Sequence, residues 1–187
     1  MRYFVFSDVH GVADDLEKTL KRFEQEQADV ILLLGDLIYH GPRNGVPDGY
    51  DPIRCVEMYN RYKERIVAVR GNCDADVDQM MMEFAITAKY MILPTEHSYR
   101  MVLTHGHHPE EEFYIQPGDL LLSGHTHVLK AEKKGDYFWL NPGSVALPKE
   151  GNPKTYAVIE GRHIEIKTLD ELRAEFLKNH GGIYEID

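Results

Sequence analysis

The first 70 residues alternate short apolar runs with segments of helical periodicity, and this alternation limits the fold more than any other feature of the chain. Residues 3–6, 30–34 and 66–69 are rich in β-branched, aliphatic or aromatic side chains, as buried strands are. Between them, residues 14–25 and 53–63 place apolar side chains at helical spacing among charged ones. This order predicts a βαβαβ unit on a sheet, and hence the α/β fold class.

Short strands dominate the second half of the chain. Turn residues separate the predicted strands, which cover residues 90–93, 100–104, 120–122, 136–140, 155–159 and 163–166. Residues 169–178 have the pattern of a closing helix. Because no linker, repeat or low-complexity segment divides the sequence, residues 1–187 are predicted to form a single domain.

Composition argues against several classes of function. The formal net charge of -10 leaves no surplus of Lys and Arg to neutralise a polyanion, which disfavours a nucleic-acid partner. No apolar stretch approaches the ~20 residues that a membrane-spanning helix needs. The N-terminal apolar run reaches Asp8 too early for a signal peptide, and Cys55 and Cys73 suggest no disulfide framework. The expected compartment is therefore the cytoplasm.

Polar side chains of the kind that bind metals follow several of the predicted strands. Asp8 and His10 come after the first strand, Asp36 after the second and Asn72 after the third. His105 ends a strand of the second half. In open α/β sheets, ligands bind outside the carboxyl ends of the strands, so we expect these side chains to converge on one place.

A histidine pair, His125 and His127, has the same spacing as Asp8 and His10. In extended backbone, residues two apart point to the same side and can grip one ion. Singly, each of these residues is explained as well by a turn, a helix cap or a solvated histidine, but together they favour a metal site. Carboxylate, imidazole and amide ligands without thiolate suit two divalent ions, with manganese expected first and Zn, Fe, Ni or Co as alternatives. Two ions need a bridge, and Asp36 is the natural candidate.

The polar motifs, taken in order, resemble those of the calcineurin-like metallophosphoesterases. The motifs are Asp8-Val-His10, Gly35-Asp36, Gly71-Asn72-Cys73-Asp74, Thr104-His105-Gly106 and Gly124-His125-Thr126-His127. The similarity extends from residue 1 to about residue 160. It implies a four-layer α/β/β/α sandwich with two mixed sheets and a site for two metal ions at one edge.

The resemblance also implies how the ligands divide between the two ions, with Asp36 bridging them. One ion would take Asp8, His10, Asp36 and His127, and the other would take Asp36, Asn72, His105 and His125.

One position departs from the wider family pattern. Many members have a histidine, proposed to protonate the leaving group, where this chain has Cys73. A thiol, with a reference pKa of about 8.5, is an alternative proton donor. Asp74 is expected to orient a neighbouring ligand, or else to cap the next helix, and Arg43 to bind a phosphate oxygen, or else to be a solvated loop cation. His107 and His108 are expected to be ordinary loop histidines, with a place in the pocket lining as the alternative.

These observations predict a phosphodiesterase that hydrolyses a small phosphoester with water activated by two metals. The alternatives are a phosphomonoesterase, a nucleotide phosphodiesterase, a nuclease, or an interaction scaffold, because the family also resembles a retromer subunit of the same fold. The complete set of ligand residues favours an enzyme over a scaffold. The sequence leaves the physiological substrate and the oligomeric state open, with a homo-oligomer as one option.

Overall fold

The computed structural model describes residues 1–170 and 182–186 and contains two mixed β-sheets. The first sheet has the strand order β11-β10-β9-β1-β2-β3. Its strands are β1 (Arg2–Phe6), β2 (Val30–Leu33), β3 (Ile66–Ala68), β9 (Thr155–Glu160), β10 (His163–Thr168) and β11 (Ile183–Glu185). Strands β1, β2 and β3 run parallel, as the predicted βαβαβ unit requires, and β9, β10 and β11 complete the sheet in antiparallel pairs.

The second sheet has the strand order β4-β5-β6-β8-β7. Its strands are β4 (Tyr90–Pro94), β5 (Arg100–Thr104), β6 (Leu120–Leu122), β7 (Leu129–Lys134) and β8 (Tyr137–Pro142). The central strands β5, β6 and β8 are parallel, and antiparallel strands form both edges. The α/β class and the two mixed sheets are thus confirmed.

Alternation along β1 shows how the layers are packed. Phe4 and Phe6 point to the helical side of the first sheet, whereas Val5 points to the space between the sheets. There it joins a core to which the second sheet contributes Met101 and Leu103. Because side chains alternate with a period of two, one apolar strand can serve both layers at once.

Two helices cover the outer face of the first sheet. Helix α1 (Ala13–Gln25) buries Leu16, Leu20 and Phe23 on one stripe. Helix α2 (Pro52–Asn60) begins at an Asp51 cap that accepts a hydrogen bond from the Arg54 N–H, with proline in its first turn. Among the described residues, none of the helices is long and apolar enough to cross a membrane.

The outer face of the second sheet has a thinner cover. Val102 and Leu121 pack there against Phe113, which follows a 3₁₀ turn at Glu110–Glu112. Most of the predicted closing helix, residues 171–178, lies outside the described residues.

Some elements differ from the sequence prediction. Helix α2 ends at Asn60, and a 3₁₀ turn at Lys63–Arg65 replaces its expected last turn. The sequence analysis missed β7, whose LKAEKK sequence is mostly polar because it forms a sheet edge. It also missed β11 and the short helix α3 (Asp76–Gln79).

Substitution of Phe4 tests the packing of the core between the first sheet and the helices. Its ring is fully buried, stacks on Tyr156 at 4.6 Å and meets Phe6 and Phe23 edge to face. We expect Phe4→Ala to lower the free energy of unfolding by about 3–5 kcal/mol, because it removes these contacts and leaves a cavity. Tyr114→Ala, at a side chain that is 70% exposed, should change it by less than about 0.5 kcal/mol. Urea denaturation measures both, and equal losses would contradict this account of the core.

Candidate metal centre

The loops that follow strands of both sheets meet at one edge of the sandwich. The first sheet contributes Asp8 and His10 after β1, Asp36 after β2, and Asn72 after β3. The second sheet contributes His105 after β5 and the His125 and His127 pair after β6. The structure therefore brings all seven predicted ligands to one site, where their side chains form two groups that share Asp36.

The first group contains two imidazoles and two carboxylates. The Nε2 atoms of His10 and His127 are 3.1 Å apart. His127 Nε2 is 3.3 Å from Asp8 Oδ1, and His10 Nε2 is 3.5 Å from Asp36 Oδ2. All four side chains are buried.

Backbone carbonyls fix the tautomers of this first histidine pair. His10 Nδ1 is 2.8 Å from the Tyr39 carbonyl oxygen, and His127 Nδ1 is 2.6 Å from that of Leu147. A carbonyl can only accept, so each Nδ1 carries the proton. With Nδ1 engaged in this way, each ring directs its Nε2 atom at the other ring and at carboxylate oxygens, where a bound cation would replace shared protons.

The second group has a similar arrangement around Asn72. His105 Nδ1 donates to the Leu34 carbonyl at 2.7 Å, so its Nε2 atom is directed at Asn72 Oδ1 at 3.0 Å and at Asp36 Oδ2 at 3.3 Å. The His125 Nδ1 atom approaches the same Asn72 oxygen at 2.6 Å. Nitrogen and oxygen acceptors thus converge on a second point.

Asp36 connects the two groups. Its Oδ2 atom faces His10 on one side and His105 on the other, while its Oδ1 atom accepts a hydrogen bond from the Cys73 N–H at 2.8 Å. One carboxylate oxygen is therefore available to both groups, as a bridging ligand must be.

Asp8 supplies an independent test of whether the residues fit a cation. Its Oδ2 atom accepts from the His125 N–H at 3.0 Å, but its buried Oδ1 atom has no hydrogen-bond partner among the described residues, and the His127 Nε2 atom lies 3.3 Å from it. A carboxylate oxygen buried in this way is costly unless a cation satisfies it. The donor set, all oxygen and imidazole nitrogen, fits divalent transition metals.

The acid–base balance of the site points the same way. Burial opposes ionisation of Asp36, but the hydrogen bond and charge of His105 hold its pKa well below the ordinary range. Burial likewise opposes protonation of His105, yet Asp36 and Asp8 raise its pKa to about 9. In the absence of a metal, a proton on His105 balances the carboxylates, and a bound metal would displace it.

Backbone strain is concentrated in the ligand residues. Five of the seven are non-glycine residues with a left-handed backbone, with φ of 57° at Asp8, 50° at His10, 55° at Asp36, 68° at His125 and 59° at His127. Such conformations cost of order 1–3 kcal/mol each and persist where the surrounding structure imposes them, as it does at many functional sites.

The side chain of Asp74 connects, by hydrogen bonds, two loops that carry predicted metal ligands. Its fully engaged carboxylate accepts hydrogen bonds from the N–H groups of Gly71 at 2.7 Å, Asp36 at 2.9 Å and Leu37 at 2.8 Å. Burial raises the pKa of Asp74 to about 6 against the effect of these bonds. At the start of α3, the N–H of Ala75 is instead accepted by Asp78. The contacts of Asp74 are those expected of a residue that positions ligands rather than of a helix cap.

We expect Asp74→Asn to weaken metal binding by about 10–100-fold, because the new amide nitrogen cannot accept from one of the three N–H groups. Calorimetric titration of the metal-free protein with Mn²⁺ measures the change. Asp119→Asn is the matched control, since Asp119 is also a buried carboxylate but pairs with Arg100 away from the site. Unaltered Mn²⁺ affinity in Asp74→Asn would contradict the positioning role.

The other predicted residues border the centre. Arg43 and Cys73 line a cleft of about 680 Å³ that contains His10, Asp36, Asn72, His125 and His127. Burial and Asp36 raise the pKa of the Cys73 thiol to about 12, so the thiol keeps its proton at neutral pH.

His107 lies closer to the centre than an ordinary loop histidine. Its ring centroid is 5.3 Å from that of His105 and 6.1 Å from that of His125, and its buried Nδ1 atom has no hydrogen-bond partner in the described part of the chain. The His108 ring lies beside it, with centroids 4.1 Å apart and planes tilted by 42°, and His108 Nδ1 is 3.8 Å from Glu112 Oε2.

Lys149 and Asn44 also line the cleft, and the sequence analysis did not identify them. Lys149 stands outside every motif, so only the fold could place its charge there. Asn44 adjoins Arg43 in the Gly/Pro-rich loop, and that adjacency was the signal available in the sequence.

The comparison with known families agrees with this geometry. The family model described as the calcineurin-like phosphoesterase superfamily domain matches residues 1–163. The chain belongs to this superfamily. Members of the calcineurin-like phosphoesterase superfamily use divalent metals, and the predicted family and its enzyme class, phosphoester hydrolase, are confirmed.

Individual relatives extend this finding. The chain is 40% identical to phosphodiesterase YfcE of Escherichia coli strain K12 over 173 residues, which are 91% of this chain and 94% of that protein. The solved structure of the Escherichia coli phosphoesterase Yfce matches with a TM-score of 0.91 and 38% identity over 100% of both chains. Vps29 of Cryptosporidium parvum matches with a TM-score of 0.57 and 17% identity over 88% of each chain, which shows a shared fold alone.

Proposed function

We propose that this calcineurin-like phosphoesterase hydrolyses small phosphodiesters at a centre of two divalent metal ions. The observation that carries the proposal is the Asp36 Oδ2 atom, which faces His10 at 3.5 Å and His105 at 3.3 Å, between two groups of buried acceptors. The similarity to phosphodiesterase YfcE supports the choice of diesters over monoesters.

The ligands divide between the ions as the two groups of acceptors divide. Asp8, His10, Asp36 and His127 would hold one ion, and Asp36, Asn72, His105 and His125 would hold the other. When bound, two divalent ions lower the pKa of the attacking water and stabilise charge on the phosphoryl oxygens. Manganese is the proposed metal, because the ligands combine carboxylate and amide oxygens with imidazoles and include no thiolate; Zn, Fe, Ni and Co suit the same set.

The remaining residues of the cleft bind and orient the ester. Arg43 and Lys149 bring positive charge to the cleft, where a phosphate needs it. Hydrolysis forms a bond from water oxygen to phosphorus and breaks the bond to the leaving oxygen, which must take up a proton. Cys73, which lines the same cleft, is the proposed donor of that proton. Asp74 holds the loops of Asp36 and Asn72 in register.

The proposed substrate is a small molecule in the cytoplasm. A net charge of -10 disfavours long polyanions, which require many Lys and Arg contacts. Both cysteines are free thiols, as proteins of reducing compartments usually have. The convergence of all seven ligand positions favours an enzyme over a scaffold, since binding a partner would not require so many metal-binding side chains to be buried against one another.

The test compares two esters with the same leaving group on protein stripped of metal and restored with Mn, Ni, Co, Zn or Mg separately. We expect no turnover without metal, restoration by Mn²⁺, and a higher kcat/KM for bis(4-nitrophenyl) phosphate than for 4-nitrophenyl phosphate. Preference for the monoester would overturn the diesterase assignment. Turnover of both esters by metal-free protein would overturn the metal centre.

A further inference from the structure

A second cleft adjoins the metal centre and differs from it in character. It has a volume of about 410 Å³, within the range of small-molecule sites, and apolar side chains dominate its wall. Its lining includes Tyr39 and Tyr50, Ile53 at the start of α2, and Val77 and Met81 of the segment around α3.

The two clefts share part of their lining. Tyr39, Cys73 and Ala75 line both of them, so one molecule can place its polar end at the metal ligands and its apolar end in the second cleft. Cys73 lies at the boundary between the clefts. Its backbone N–H donates a hydrogen bond to Asp36 in the metal centre, and Cys73 also lines the apolar cleft.

The walls of the apolar cleft expose side chains that folding alone would bury. Ile53 is 56% exposed, Val77 is 61% exposed and Met81 is 38% exposed. Apolar side chains grouped in this way on a surface mark a binding site more often than scattered ones do. The carboxylate in this wall, Asp78, accepts from the Ala75 N–H at 2.8 Å and so is satisfied by the backbone.

We propose that this apolar cleft receives an aromatic substituent of the phosphoester and so selects aryl esters over small alkyl esters. The inference rests on the proposed function, since the phosphate must lie at the metal ligands for the substituent to reach the cleft. The volume accommodates a ring, and tyrosine, aliphatic and thioether side chains are the surfaces that bind rings well. A methyl substituent would leave the cleft unfilled.

Phenylphosphonate and methylphosphonate are the probes, because they carry the same phosphonate group and differ only in the substituent. Calorimetry on the Mn²⁺-loaded protein gives both dissociation constants without any turnover. We expect the wild-type protein to bind phenylphosphonate at least about tenfold more tightly than methylphosphonate, the scale of apolar pocket discrimination. Ile53→Asn and Val77→Asn should each reduce this ratio about threefold, and the double variant should bring it near one.

Val46→Asn is the matched control, since Val46 is 69% exposed in a neighbouring loop and does not line the apolar cleft. It should keep the wild-type ratio. A wild-type ratio near one, or a ratio that survives in the double variant, overturns the proposal. So does a change of oligomeric state in the double variant, seen by light scattering, with the ratio intact, because the patch would then be an interface between copies of this chain.

Failure of the underlying function gives a different result. If the proposed hydrolase function is wrong, the wild-type protein hydrolyses neither ester of the metal-restoration test. If only the cleft is wrong, hydrolysis proceeds and the two phosphonates bind alike.

Discussion

Replacement of Asp36 by alanine is expected to abolish phosphodiester hydrolysis, with kcat/KM falling by more than about 10³-fold. Removal of a single donor to a developing charge costs other enzymes about 10²–10³-fold, and Asp36 serves both groups of ligands at once. The substitution removes the Oδ2 atom that faces both His10 and His105. We therefore expect the purified variant to lose most of its bound metal, measured by elemental analysis, together with its activity.

Two control variants separate this effect from a general loss of structure. Asp36→Asn keeps an oxygen that can accept from the Cys73 N–H at 2.8 Å, so its loop is preserved while the bridging charge is removed. Asp76→Ala removes an acidic side chain at the start of α3. This side chain is 89% exposed and forms an ion pair with Arg70. We expect Asp36→Asn to be nearly as inactive as Asp36→Ala, and Asp76→Ala to retain activity. Full metal content and turnover in Asp36→Asn would refute the bridging role.

The first sheet could be read from the sequence because its signals are local. Val30 to Leu34 form an aliphatic run, and four of these five side chains are fully buried, as a strand between two layers requires. Parallel strands end at the same edge, so the polar residues that follow β1, β2 and β3 had to meet. Asp8, Asp36 and Asn72 could be placed together on that argument alone.

The second sheet could not be placed in the same way. His105, His125 and His127 reach the site only because the second sheet packs face to face on the first through side chains such as Met101 and Leu103. No local period in the sequence encodes that pairing, and the resemblance to a known family supplied it. Edge strand β7 was missed for a related reason. Its polar sequence does not indicate a strand, and it forms one because it pairs with β8 at the edge of the sheet.

The role of Asp74 shows a third limit. Its sequence context, directly before a short helix, suits a cap as well as it suits a positioning residue. Only the fold shows that Asp36 and Leu37, 38 and 37 residues away along the chain, direct their N–H groups at its carboxylate. The left-handed backbone of the predicted ligands is likewise imposed by the tertiary structure. Asp and His tolerate this conformation, but they adopt it too rarely for a sequence to predict it.

Substitution of Gly71 by alanine is expected to disable the site by steric contact. A Cβ atom at this position would lie 2.1 Å from Asp36 Oδ1 and 2.2 Å from the Asp36 backbone nitrogen. The backbone of Asp36 cannot yield without moving the Asp74 carboxylate, which both residues use as acceptor. A displacement of about 1 Å at a catalytic centre can cost about 10²-fold in rate, so we expect at least that loss in kcat/KM. The free energy of unfolding should fall by about 3 kcal/mol, the upper end for overpacking.

Gly135→Ala is the matched control for this substitution, since a Cβ atom there meets nothing within 4 Å. Its φ of +61° makes alanine cost about 1 kcal/mol on backbone grounds alone, whereas Gly71 has no such left-handed strain. If contact with Asp36 is the cause, Gly71→Ala must lose more stability than Gly135→Ala and must lose activity that Gly135→Ala retains. Steady-state kinetics and denaturation of the two variants decide the matter, because equal behaviour would mean that the loops of Asp36 and Gly71 have room to separate without disturbing the metal ligands.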